Sequence, residues 1–112
     1  LRICEPLLKL APEGGRVIMV TSSVGQKAAP YWGAYKISKS ALDAMVEMVA
    51  AEWQESNLRI NSVNPGATRT AMRSKAMPGE DPETLKLPEA VVPLFLELAT
   101  AQDNRHGEII AA

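Results

Sequence analysis

The chain has 112 residues, 46% of them hydrophobic and 22% charged, with 12 Lys and Arg against 13 Asp and Glu and a formal net charge of -1. That is one small domain's length of chain, without the basic excess of a nucleic-acid or anionic-membrane surface. One cysteine, Cys4, and one histidine, His106, exclude an internal disulfide, a thiolate zinc cluster and a multi-histidine metal centre, and no apolar run approaches the ~20 residues of a membrane span.

The first residues, Leu1-Arg2-Ile3-Cys4-Glu5-Pro6, carry neither an initiating Met nor a basic leader followed by an apolar stretch. The chain therefore reads as a cytoplasmic globular protein and as a piece of a longer one. Leu7 to Leu10 have the look of a helix tail, ended by Pro12 and by Gly14-Gly15, which allow a left-handed exit. Cys4, beside that tail, is expected to be a small buried hydrophobe. Arg16 to Thr21 form a short apolar run rich in β-branched residues, as suits a strand covered on both faces. Ser22 to Gly33, with Ser, Gly and Pro, reads as a loop.

From Ala34 to about Glu55 the period becomes helical, with Ala34, Ile37, Ala41, Leu42, Met45, Val46, Val49 and Trp53 on one apolar stripe. A second strand is expected over Arg59 to Asn64, ended by Pro65-Gly66. The polar segment Ala67 to Leu87 follows, in which Glu80-Asp81-Pro82-Glu83 reads as an acidic helix cap and not as a metal site. Pro88 then opens a helix to about Thr100. His106 falls in a polar turn and is expected to be exposed, and Gly107 to Ala112 make the last strand. Alternation of this kind implies right-handed crossovers and a parallel sheet. Three strands are too few to be covered on both faces alone, so the expected fold class is α/β, half of a doubly wound sheet.

Three signals carry chemistry. Tyr35 and Lys39 are spaced i, i+4, which places both side chains on one helical face. A phenol is a poor base at neutral pH, and an ammonium one turn away favours the phenolate. Thr21-Ser22-Ser23 stands at the carboxyl end of the first strand, where open parallel sheets bind their ligands; a hydroxyl there would stabilise a substrate oxygen. Asn64-Pro65-Gly66 stands at the carboxyl end of the next strand, followed by Thr68 and Thr70, and its glycine lets backbone approach a planar ligand closely. Taken singly, each has a plain structural explanation: chance spacing, a turn serine, a strand-ending turn. Together they fall on one edge of one sheet.

With these stretches, "VIMVTSSVGQ", "YWGAYKISKSAL" and "LRINSVNPGATRTAM", the sequence resembles the short-chain dehydrogenase/reductase family over essentially its whole length. "NPGATRTAMRSKAMPGEDP" is most similar to a bacterial subgroup of oxidoreductases with poorly defined substrates. The resemblance implies the C-terminal catalytic half, residues 1–112, of a single Rossmann-like NAD(P)-binding domain with α/β/α layers. Its N-terminal cofactor-binding half is absent, and the fragment alone is expected to be inactive. It further implies an oxidoreductase that moves a hydride between NAD or NADP and a small carbonyl or alcohol. Tyr35 matches the general acid/base, and Lys39 the residue that tunes it and binds the nicotinamide ribose. The substrate-orienting serine maps to Ser23 or Ser22, with Ser23 preferred. Pro65 and Gly66 match the nicotinamide-flanking motif, while Thr68 and Thr70 match the cofactor hydroxyls. A homodimer or homotetramer is implied, with no metal, nucleic acid or membrane. Ala67 to Leu87 matches the substrate-covering segment; Met72 and Met77 within it, and Trp32 near Tyr35, are placed to line a cleft. No glycine-rich phosphate turn occurs, which leaves NAD against NADP open. The alternatives are a sugar-nucleotide epimerase or dehydratase of the extended branch, which shares Tyr-x-x-x-Lys, and a non-catalytic dinucleotide-binding protein. A short tail after Gly66 argues against the first, and the intact Ser, Tyr and Lys set against the second.

Overall fold

A computed structural model describes residues 1–112. Its elements are α1 (Glu5–Leu8), β1 (Arg16–Val20), α2 (Ser23–Gln26), α3 (Gly33–Glu52), β2 (Arg59–Asn64), α4 (Ala71–Ala76), α5 (Val92–Leu98) and β3 (Ile109–Ala111), with 3-10 turns at Pro82–Thr84 and Pro88–Ala90. The three strands are parallel in the order β1-β2-β3. The expected α/β architecture is thus present. Gly14 takes the left-handed φ of +80° that the exit from the helix tail calls for.

Strand alternation sorts the core into two faces. Val17, Met19 and Ile60 pack with Val46 and Ala50 of α3 and with Trp53 just past its end, whereas Ile18, Val63 and Ile110 pack with Leu94, Phe95 and Leu98 of α5. Helix α3 therefore covers one face and α5 the other. Both crossovers step the same way across the sheet on opposite faces, so they have opposite hands. Uniform right-handedness, expected from the alternating pattern, does not hold. The rule derives from a strand feeding directly into a helix that packs back on the sheet. Here the β2–β3 connection, Pro65–Glu108, makes α4 and two 3-10 turns before α5 and is released from that constraint.

Several local expectations are corrected. The loop Ser22–Gly33 contains the one-turn helix α2, and the helix expected from Pro88 breaks into a 3-10 turn and α5. Cys4 is exposed. On the apolar stripe, Val46 and Trp53 are buried, but Ile37 is 70% exposed.

His106 is half-buried and ties three elements together. Its Nδ1 accepts the Ile60 amide at 3.2 Å, and its Nε2 donates to the Ala50 carbonyl at 2.8 Å. Strand β3 pairs with β2 only from Ser62 onward, so the imidazole stands in for a missing strand carbonyl opposite Ile60. Ala50 lies in the last turn of α3, where carbonyls lack helical partners. Nearby, the buried Asn61 side chain donates to the Arg105 carbonyl at 2.9 Å and accepts the Glu108 amide at 3.0 Å. At the start of β1, Arg16 donates to the carbonyls of Asn57, Thr100 and Ala101, each at 3.2 Å, joining the start of the sheet to the residues that follow α5. No helix is long and apolar enough to cross a membrane.

Candidate active site

All three chemical signals come to the carboxyl edge of the sheet because parallel strands present those ends together. Strand β1 ends at Val20, and the ladder continues one residue further through the Thr21 amide to the Val63 carbonyl at 2.8 Å. Ser22 follows in extended conformation (φ -155°, ψ 149°), and its Oγ accepts the Val24 amide at 3.3 Å, capping α2. It is half-buried. Ser23, in the first turn of α2, is exposed and its hydroxyl makes no bond within the chain.

The polypeptide then returns to the edge and starts α3 there. Tyr31, at φ +70°, turns the chain into the helix. Trp32 precedes the first helical residue, and its ring meets that of Tyr35 edge-on, centroids 5.6 Å apart at 63°. Tyr35 is 36% exposed. One turn on, the Lys39 ammonium lies 5.7 Å from the Tyr35 ring centroid and donates to the Val20 carbonyl at 2.8 Å. That bond carries the amine across from helix to strand end, so the i, i+4 pair and the end of β1 share one locality. An ammonium has three donors. Val20 takes one, leaving two for a ligand.

At the end of β2, Gly66 adopts φ +69°, and a Cβ there would meet nothing nearer than Lys86 Nζ at 3.6 Å. Open space and left-handed backbone together give a ligand close access to the turn. Its amide donates to Asn64 Oδ1 at 3.1 Å, which squares the turn after Pro65. Thr68 donates back to the Pro65 and Gly66 carbonyls at 3.3 and 3.4 Å, while Thr70 caps α4 by accepting the Arg73 amide at 3.1 Å and keeps its own proton to donate. Pro65, Gly66, Thr68 and Thr70 thus line one turn at the same edge as Ser22, Tyr35 and Lys39.

The polar segment beyond is held by its own pairs. Arg73 grips Glu80 with two bonds of 2.6 Å, and this guanidinium holds the Glu80 carboxyl below the usual carboxylate range. Arg69 pairs with Glu83 at 3.0 Å, and Asp81 caps its turn by accepting the Glu83 amide. The base is closed by a parallel bridge between Thr68 and Lys86, with the Arg69 amide donating to the Lys86 carbonyl at 2.9 Å.

As a test of dinucleotide binding, the donor set fits one end only. Two free ammonium donors, an open left-handed glycine turn and the Thr70 hydroxyl suit a ribose and a carboxamide. No glycine-rich turn is present to receive a pyrophosphate. Asn61, His106 and Arg16, which fix the strands beneath the site, were not marked by the sequence reading. The only trace they leave in the sequence is a polar type within or beside a strand, or in a turn.

The family model described as enoyl-(acyl carrier protein) reductase matches residues 1–103. The oxidoreductase YciK of Escherichia coli K12 is 47% identical over 100 residues, which are 89% of this chain and 39% of that protein. A crystal structure of a short chain dehydrogenase from Escherichia coli CFT073, complexed with NADPH, superposes with a TM-score of 0.86 at 41% identity, covering 95% of this chain and 44% of the other. A short chain dehydrogenase from Salmonella enterica serovar Typhi gives a TM-score of 0.88 at 41% identity, with 95% and 44% covered. The chain spans less than half the length of the relatives it matches.

Proposed function

The chain belongs to the short-chain dehydrogenase/reductase family, and from that premise we propose that it is the catalytic half of an NAD(P)-dependent oxidoreductase acting on a small carbonyl or alcohol. The observation that carries this reading is the Lys39 ammonium bonded to the Val20 carbonyl at 2.8 Å while standing 5.7 Å from the Tyr35 ring. It joins proton chemistry on a helix to the strand end that bears the serines.

Tyr35 donates its hydroxyl proton to the substrate oxygen in reduction and withdraws it in oxidation. Lys39 stabilises negative charge on the phenol oxygen and offers a second donor to a ribose. The substrate oxygen is held by Ser22 rather than Ser23. Ser22 Oγ is already fixed by the Val24 amide, so its own O–H is pre-oriented to donate, whereas Ser23 is exposed and unfixed. Pro65, Gly66, Thr68 and Thr70 would receive the nicotinamide end of the cofactor, and the bound nucleotide would supply the hydride. The likeness to an NADPH complex favours NADP as that nucleotide. Residues 1–112 would form one part of a single nucleotide-binding domain, inactive without the half that binds pyrophosphate. The extended-branch epimerase reading gains no support, since Pro65–Glu108 holds only short helices and no second domain.

The test is made on the full-length protein with a panel of aldehydes and ketones. Tyr35→Phe is expected to abolish turnover and retain nucleotide binding. Ser22→Ala is expected to lower kcat by about 10²-fold or more, as loss of one oxyanion donor does, with Ser23→Ala close to wild type. Absence of any NAD(P)-linked turnover in the full-length wild type would remove the reading; undiminished turnover in Tyr35→Phe would take the proton-transfer role from Tyr35, and the reverse order of the two serine variants would transfer the substrate-holding role to Ser23.

A further inference from the structure

Helix α2 is a single turn, held internally by the Gly25 amide on the Ser22 carbonyl at 2.9 Å and the Lys27 amide on the Ser23 carbonyl at 3.0 Å. One turn in isolation does not offset the entropy of forming it. Something outside must hold the segment that carries the serines.

That hold comes from α3. Lys36, the neighbour of Tyr35, turns its half-buried side chain away from solvent, and its Nζ donates to the Gly25 carbonyl at 2.8 Å and the Val24 carbonyl at 3.2 Å. Ser40 Oγ donates to the same Gly25 carbonyl at 2.6 Å and stands 3.4 Å from Lys36 Nζ. The carbonyl end of α2 is where a cation is favoured, and bonds from an ammonium are the stronger kind. Gly25 is buried, and a Cβ on it would lie 3.1 Å from the Lys39 backbone, the Lys39 Cβ and Asp43 Oδ2. The turn therefore rests directly on the stretch of α3 that carries the proposed catalytic lysine.

We propose that Lys36 and Ser40 are positioning residues: together they pin the carbonyl end of α2 to α3 and so fix Ser22 relative to Tyr35 and Lys39. The proposal rests on the oxidoreductase reading for its catalytic consequence, though not for the clamp itself. Lys36 touches no reacting atom. Its neighbour Lys39 points instead to the end of β1, so the two lysines of one helix turn divide the work of holding strand end and serine turn.

The experiment compares full-length wild type, Lys36→Met, Lys36→Arg, Ser40→Ala and Tyr35→Phe. Amide hydrogen exchange is read at Gly25 and Lys27, and steady-state kinetics with a carbonyl substrate are measured alongside. Lys36→Met retains the apolar stem and loses the donors. It should speed exchange at Gly25 and Lys27 while leaving β2 protected, and lower kcat by about 10- to 100-fold, with the nucleotide KM within about twofold. Lys36→Arg should restore most of both. Unchanged exchange in Lys36→Met overturns the clamp. Faster exchange with unchanged kcat, where Tyr35→Phe is inactive, overturns its positioning role. If Tyr35→Phe stays active, the proton-transfer role of Tyr35 falls instead, and the exchange rates alone decide the clamp. Should Lys36→Met fail to fold, Ser40→Ala carries the same readouts.

Discussion

At the scale of single residues, Tyr35 and Lys39 were legible because a helix converts a sequence interval into a shared face without help from the rest of the molecule. His106 was not. Its turn-rich surroundings suggest exposure, and only the late start of β3 leaves Ile60 with an amide for the imidazole to accept. Replacing His106 by Leu is expected to cost about 1–3 kcal/mol, the penalty of unpaired backbone groups at Ile60 and Ala50, read as a lower urea midpoint of the full-length protein at unchanged slope. Asp103 gives an acid-side prediction. The Arg105 guanidinium bonds its carboxylate and, against the opposing effect of burial, holds it below the usual range. The folded carboxylate thus binds protons less readily than the unfolded one. Its contribution is complete above the unfolded value of ~3.9 and is lost as pH falls through the lower folded value. The melting temperature of Asp103→Asn should therefore fall less than that of wild type as pH drops below about 4, measured by calorimetry.

At the scale of elements, β2 was legible at both ends, Arg59 and Asn64, because Pro65-Gly66 stops the strand. Helix α2 lay hidden in a stretch of Ser, Gly and Pro. Its formation depends on the Ser22 cap and the Lys36–Ser40 contact, and the second of these comes from residues more than ten positions away. The same dependence makes Gly25 sensitive. In Gly25→Ala the new methyl meets helix backbone that cannot yield cheaply, so α2 should lift from α3. The expected outcome is lost protection at Gly25 and Lys27 in hydrogen exchange, with a fall in kcat larger than any fall in nucleotide affinity. The opposite hands of the two crossovers were likewise beyond reach, since the pattern of apolar residues says that a helix is covered and not which side of the sheet covers it.

At the scale of the whole molecule, the radius of gyration is 15.6 Å, against about 13 Å for a compact domain of this length. Only 13 of 112 residues are buried, and β1 pairs with β2 alone, leaving its outer edge free. Such a surface fits a chain that spans 39% of YciK. The outer side of α3 also carries unpartnered apolar residues, with Met48 63% exposed and a groove beside α1 lined by Leu1, Ile3, Met45 and Val49. Pairing of α3 with its counterpart in a second subunit would cover them. The full-length protein should run as a dimer or tetramer in size-exclusion chromatography with light scattering, and Met48→Glu should shift it toward monomer.

The three strands, the long helix between the first two, the parallel sheet and the meeting of Ser, Tyr, Lys and Pro-Gly at one edge follow from sequence alone, because each rests on a local period or a local stop and parallel connection does the rest. What holds the serine turn, where His106 points and which face each helix covers were decided only in the tertiary structure. Those features rest on bonds between residues far apart in the chain, and no local pattern encodes a partner that distant.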